Sequence, residues 1–479
     1  MIHLWLEHKK FEIASIVFFV SGIVALFFSE PIFLAIPLTW VLGPFLLNIA
    51  FFKTETLFWI LIITLPLSTE INITKTLGFD FPDENILMLL TGLFVVKCIY
   101  NRFVFSHHFL KQPLFFLLVL HVGWILICCF FSTDSWLSTK YLLAKIWFII
   151  PLVIMLPYFV KTESNFKNLA KILIGVMLFL VIQTIIRHGF YGFSFSAVHQ
   201  TVAPFFRNHV NYSALLSCII IICFIAYKNT KRNKKLLLNI FIILLIGLFF
   251  AYSRGAWVAI ILSAISFVLI KKNIFKKGIF ISIIGVMLSF FWLISNNNFV
   301  RFSPNYDNTI FHNNFTEHLQ ATVELKDVSN AERFYRWVAG VKMFNAKPIT
   351  GFGPNNFYKN YKGFTDNRFK TWVSDNLEKS SVHNYYLLIL LEQGFIGLLI
   401  FSFLIVSMLL TCQKLYHTFY NEFYKQVSLC VALILVVIAA INFMSDMIET
   451  DKIGIMFWLC LGVIFILQQK RKDELILIA

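Results

Sequence analysis

The chain has 479 residues, of which 58% are hydrophobic and only 14% charged, and its mean hydropathy is +0.76. Those proportions exclude an ordinary soluble enzyme and indicate a polytopic membrane protein, since 56 Phe residues have no place on a water-facing surface. The net charge of +16 could suggest nucleic acid, but Lys and Arg stand in short clusters between apolar runs, where they orient a chain in a bilayer, so no nucleic-acid partner is expected.

Apolar runs of about 18 to 22 residues have the length a helix needs to cross roughly 30 Å of hydrocarbon, and their continuity excludes a β-barrel. In chain order they predict spans near 11–28, 31–52, 55–68, 85–100, 113–131, 142–160 and 167–187. A second set follows near 208–227, 234–252, 256–270, 278–295, 386–411, 427–444 and 453–468. The first run ends in Ser29-Glu30-Pro31 without a small-residue cleavage site, so it reads as a span rather than a removable leader. All eight Cys fall within apolar runs and lack CxxC spacing, which makes them packing residues rather than metal ligands or disulfides. The expected fold is an all-α polytopic membrane protein of about 12 to 14 transmembrane helices. It divides into transmembrane helices over 1–295, an extramembrane loop unit over 296–382 and C-terminal transmembrane helices over 383–479.

An even number of spans puts both termini on one side. With that side cytoplasmic, Lys9-Lys10, Lys53, Arg102 with Lys111, Lys161 to Lys171, Lys228 to Lys235, Lys271 to Lys277, Lys414 with Lys425, and Lys470 to Lys472 all fall inside. Glu30, Glu70, Asp80, Asp83, Glu84, Asp134, Asp446, Glu449 and Asp451 fall outside, and so does the long loop. Within that loop Phe334, Val338 and Val341 recur at helical spacing over Glu332 to Phe344, with Arg333 and Trp337 on a neighbouring face, and Pro348 and the GFGP run at 351–354 end the helix. The loop's aromatic residues, Trp372 among them, favour folding onto the bundle.

Topology accounts for the inner cations, so the informative ones are on the outer side. Arg254 in SRGAW lies where two apolar runs meet with almost no loop; Arg207 in FRNHVNYSA and His383 in VHNYYLLILLEQG each open a span; Arg333 belongs to the loop helix. An arginine near hydrocarbon is costly unless it meets an anion, and its fork of donors fits phosphate. Ordinary roles compete: snorkelling for Arg254, a span-end marker for Arg207, a surface position for Arg333, a solvated or capping residue for His383. Asp80, Asp83 and Glu84 fit the first turn of a helix, and Asp446 and Asp451 fit a solvated turn. No Walker A, GxGxxG, GxSxG, HExxH or DxD pattern is present, so neither a cofactor nor a metal is expected.

SRGAW at a span end, then ERFYRWVAGVKMFNAKPITGFGPNNF in the long loop, then HNYYLLILLEQGFIG opening a span, together resemble the O-antigen ligase and Wzy-type polymerase superfamily. The resemblance covers roughly residues 200–410; the amino-terminal spans are similar only in hydropathy. It implies a GT-C-like bundle in the bacterial inner membrane with one long periplasmic loop, and a glycosyltransferase taking an undecaprenyl-pyrophosphate-linked glycan donor. It also implies catalytic roles for Arg254, Arg333 and His383, with Arg207, Asn211, Arg336, Trp337 and Asn384 as substrate-binding candidates. His209 stands where the family commonly has Pro, which leaves Arg207 and Asn211 less secure. The expected scheme is metal-independent: guanidinium groups stabilise the departing pyrophosphate and His383 takes a proton from the acceptor hydroxyl. The acceptor is open between lipid A core, a growing glycan and a protein hydroxyl, with the ligase favoured. A lipid or glycan transporter is the rival from another class, although transporters put their sites near the midplane and no inverted repeat is apparent.

Overall fold

The computed structural model describes residues 53–74, 77–100, 107–295, 328–370, 374 and 380–478. The expected spans 11–28 and 31–52, residue Trp372 and most of the 296–382 unit lie outside the described residues. Each remaining expected span overlaps a helix. They are α1 (Thr54–Thr64), α2 (Asp83–Ile99), α3 (Pro113–Phe130), α4 (Ser135–Ile149), α5 (Glu163–Gly189), α6 (His209–Asn229), α7 (Lys234–Phe250), α8 (Arg254–Lys271), α9 (Phe275–Ile294), α11 (Tyr385–Thr418), α12 (Glu422–Met444) and α13 (Asp451–Ile478). The loop contributes α10 (Val328–Ala346), and one antiparallel hairpin, β1 (Thr69–Thr74) and β2 (Leu77–Phe81), precedes α2. Among the described residues eight helices are long and apolar enough to cross a membrane, and the fold is that of an all-α polytopic membrane protein.

Local chemistry sets the helix starts. Asp134, Asn208, Asn384 and Asn421 each occupy an N-cap and accept backbone N–H groups with the side-chain oxygen, and Thr162 with Asn165 closes a capping box. Pro113 opens α3, where its missing N–H costs nothing. Pro151 falls inside an apolar run instead, and the chain answers with a π-helical stretch, Ile150–Ile154, at the end of α4.

Helix α13 is the axis of the bundle, with 89% of its apolar window buried. Gly462 lets it approach the π-helical stretch so closely that a Cβ would collide with the Leu152 carbonyl. Helix α12 packs on α6, α8 and α11. On the outer helices only one stripe is buried: in α3 it is Leu114, Leu118, His121, Ile125 and Cys128, while Phe116 and Phe130 face outward. Apolar residues on both faces are what a helix between protein and lipid requires.

Helix ends sort into two sets. At one end lie the α12–α13 turn, the starts of α8 and α11, and the α3–α4 turn: Tyr385 N–H bonds the Ser445 carbonyl at 3.0 Å and Thr133 N–H bonds the Phe352 carbonyl at 3.0 Å. At the other end Asn421 Nδ2 donates to Glu163 (3.2 Å), Asn421 N–H donates to Glu474 (2.7 Å), and Gln413 donates to Asn273 (2.8 Å). The clusters Lys228 to Lys235, Lys271 to Lys277 and Lys470 to Lys472 all belong to this second end.

Candidate functional site

Helix α10 is strapped to the start of α11. Trp337 Nε1 donates to the Val382 carbonyl (2.9 Å) and Arg336 Nη1 donates to the Ser381 carbonyl (3.0 Å). Gly340 carries no side chain where Leu387 and Leu391 press against it. Beyond α10 the chain enters a wedge that pairs with α11 through its backbone. Phe352 and Gly353 donate to the Leu391 and Glu392 carbonyls, both at 2.9 Å, and Phe395 donates back to the Pro348 carbonyl at 2.8 Å. Gly394 makes this possible: at φ +71° and ψ −175° it interrupts α11, and a Cβ there would fall on the Ile349 carbonyl. The buried Glu392 carboxylate accepts from Asn355 N–H (2.8 Å) and Phe357 N–H (2.9 Å), and the buried Asn356 amide reaches Ser132, Ser138 and the Pro354 carbonyl.

This strapping brings Arg333 and Arg336 of α10 to His383, just before α11. The His383 backbone is left-handed, at φ +53°, and its N–H donates to Ser381 Oγ (3.2 Å), which in turn bonds Asp446 Oδ2 at 2.5 Å. His383 Nδ1 faces Asp446 Oδ1 at 3.9 Å, too long for a hydrogen bond. Burial, followed by the positive charge of Arg336 and then of Arg333, pushes the imidazole down to about 3, so it is neutral at pH 7. Burial raises the Asp446 carboxyl above its usual range, while the Ser381 hydrogen bond and Arg336 act in the opposite direction. Arg336 is also tied to Glu332 (3.2 Å), whose other oxygen accepts from Ser374 (2.8 Å).

Arg254 opens α8 and is half-buried. The next residue, Gly255, lies against Met444 at the end of α12, two residues before Asp446, so the α8 start adjoins the His383 group. The other candidates divide. Trp337 and Arg336 hold the strap, and Asn384 uses its side-chain oxygen to cap α11 through Leu387 N–H at 3.0 Å. Arg207 is exposed and Asn211 lies in the first turn of α6, where its N–H is taken by Asn208; among the described residues no contact joins either side chain to His383.

Two carboxylates depart from the solvated turn expected of them: Asp446 is drawn in by Ser381, and Asp451 bonds Asp80. Asp83 does lie in the first turn of α2, as expected, but is fully buried, and Lys452 donates to the Leu65, Pro66 and Ser68 carbonyls, in the turn just before the hairpin. Beside the site a second buried group joins α4 to the α12–α13 turn: Lys145 Nζ sits 3.0 Å from Glu449 Oε2, and Tyr141 hydroxyl donates to Glu449 Oε1 at 2.9 Å. Lys145 and Glu392 are charges inside apolar runs. That alone is a sequence signal of function or of a buried partner.

A neutral imidazole, two guanidinium groups and a third arginine's helix start are thus gathered at one end of a bundle of membrane-spanning helices, a set of groups that suits an anion. Residues 239–402, from α7 past the wedge in α11, match the family model described as O-antigen ligase, about a third of the chain. The match supports a likeness of this stretch to the O-antigen ligase and Wzy superfamily, whose members are glycosyltransferase-like ligases and polymerases. No curated protein matches the chain.

Proposed function

We propose that the protein transfers a glycan from undecaprenyl pyrophosphate to an acceptor hydroxyl at the periplasmic face of the inner membrane, in the manner of an O-antigen ligase. The observation that carries this reading is the convergence of Arg333, Arg336 and His383 beside the Arg254 helix start, inside the stretch that matches the family. Arg254 and Arg333 hold the donor's pyrophosphate, and Arg336 keeps α10 in place through Ser381. Charge grows on the pyrophosphate as the glycosidic bond breaks, so fixed guanidinium groups favour the transition state over the ground state without a metal.

His383 takes the proton of the acceptor hydroxyl. In the free protein burial first, and then the charges of Arg336 and Arg333, make its imidazole a weak base. A pyrophosphate dianion between the guanidinium groups cancels the arginines' share of that depression and so raises basicity when the donor is present. Nδ1 faces Asp446, which leaves Nε2 for the acceptor. The transfer forms a bond from the acceptor oxygen to the anomeric carbon and breaks the bond from that carbon to pyrophosphate, with the hydroxyl proton passing to His383.

Deleting the gene and analysing extracted lipopolysaccharide, secreted polysaccharide and glycoproteins together tests the assignment. Loss of polymer from lipid A core alone supports a ligase, capping by single repeats indicates a polymerase, and altered protein glycosylation indicates a protein O-oligosaccharyltransferase. In a reconstituted assay, full activity with chelator present supports the metal-free scheme, and activity abolished by chelator and restored by metal overturns it.

A further inference from the structure

Residues 164–306 contain no Asp or Glu, yet two of their tight turns are crowded with cations: Lys228 to Lys235 between α6 and α7, and Lys271 to Lys277 between α8 and α9. Both turns lie at the end of the bundle opposite His383, since α6 and α8 start at the end that carries the site and run about 27 to 31 Å away from it. The turns meet. Lys228 Nζ and Lys271 Nζ stand over the same ring, Phe267, at 4.6 and 4.4 Å from its centre. Carboxylates at this end are already engaged: Glu163 with Lys167 (3.3 Å), Glu422 with Lys425 (2.9 Å) and Glu474 with Arg471 (2.6 Å). Among the described residues none pairs with the cations of the two turns.

On the α6–α7 turn, which carries Lys228, a surface cavity of about 550 Å³, open to solvent, is lined by Tyr227, Lys231, Asn233, Lys234, Lys235 and Leu238, all but Tyr227 exposed. The 17-residue helix α7 begins there, and its N-cap, Asn233, is left-handed at φ +63° and gives no side-chain hydrogen bond to the first-turn amides. Uncapped amides, the positive end of a helix dipole and lysines on the same turn are the components of a phosphate site. Like charges held together without an acid also call for an anion from outside the chain.

We propose that this cavity and the adjoining Lys228–Lys271 pair bind the phosphate headgroup of an anionic phospholipid. The lysines and the α7 N-terminus take the phosphate, and the acyl chains follow the apolar flank of α7, where Leu236 is 57% exposed. That continuity from cationic cavity to lipid-facing helix favours a lipid over a soluble phosphate.

The full chain is reconstituted in nanodiscs of phosphatidylcholine with a quarter phosphatidylglycerol, transferred to detergent, and its retained lipid measured by native mass spectrometry. The wild type keeps phosphatidylglycerol in clear excess over its share of the bilayer. In K228Q/K234Q/K235Q/K271Q retention falls by at least about tenfold, while thermal unfolding in phosphatidylcholine alone is unchanged. K234R/K235R retains the lipid, which separates charge from a particular side-chain shape. Equal retention by the quadruple variant overturns the proposal, as does binding of inorganic phosphate that displaces the lipid at millimolar concentration.

Discussion

Ser381 Oγ lies 2.5 Å from Asp446 Oδ2 and at the same time accepts the His383 N–H, so one hydroxyl ties the α12–α13 turn to a left-handed histidine. A side chain on a strained backbone points where its backbone is held. Ser381→Ala is expected to lower transfer by about tenfold with little change in donor binding, and Ser381→Thr, which restores the hydroxyl, to recover most of it. Measuring kcat and KM in proteoliposomes with defined donor and acceptor checks this; a loss confined to KM would assign Ser381 to donor binding instead.

The depressed imidazole pKa has a consequence for stability. Between about pH 6.5 and 3 the unfolded chain takes up a proton at this position and the folded chain does not, so the folded state loses stability as pH falls through that window and has its full stability above it. Melting temperatures of wild type and His383→Gln, compared at pH 7 and pH 4.5, are expected to shift in favour of the variant at the lower pH. A constant difference between the two proteins would contradict the depressed pKa.

Glycine is required at 394 by both conformation and space. Gly394→Ala places a methyl group on the Ile349 carbonyl in a region of backbone space open only to glycine, and is expected to cost about 3 kcal/mol or more. The expected readout is a lowered unfolding midpoint accompanied by new protease sensitivity at residues 348–357, because that wedge loses its backbone pairing with α11.

Lys145 and Glu449 form a buried pair, their side chains 7% and 23% exposed. Removing one partner leaves the other charge unmatched, so Lys145→Met and Glu449→Gln are each expected to cost about 3 kcal/mol, and the double variant much less than their sum. A double-mutant cycle on thermal unfolding measures the coupling; additive effects would mean that the two groups do not depend on one another.

Apolar runs and basic clusters made the helices legible, because a bilayer demands length and hydropathy before any side-chain detail. The described helices overlap the expected spans, although ends such as the start of α4 and the ends of α11 and α13 differ by seven or more residues, and caps such as Asn384 and Asn421 explain where helices begin. Arg333, His383 and the start of α8 were legible as motifs. Asp446 was not, since a carboxylate in a polar turn reads as solvated until Ser381, 65 residues earlier in the chain, is placed against it. The wedge was illegible for a related reason. GFGP announced a turn, but only the pairing of Pro348 to Gly353 with Leu391 to Phe395 makes that turn part of a helix in another segment.

Helix α11 has 34 residues and so measures about 51 Å, far more than a bilayer's hydrocarbon needs. Gly394 divides it into a segment of about 36 Å that suffices for crossing and a shorter stem that carries His383 at its tip. The stem is laced to α10 and to the wedge rather than surrounded by lipid. Under the proposed function this stem would hold His383 beyond the crossing segment, so that a hydrophobic tail stays in the membrane while a bulky, water-loving chain is worked on outside it.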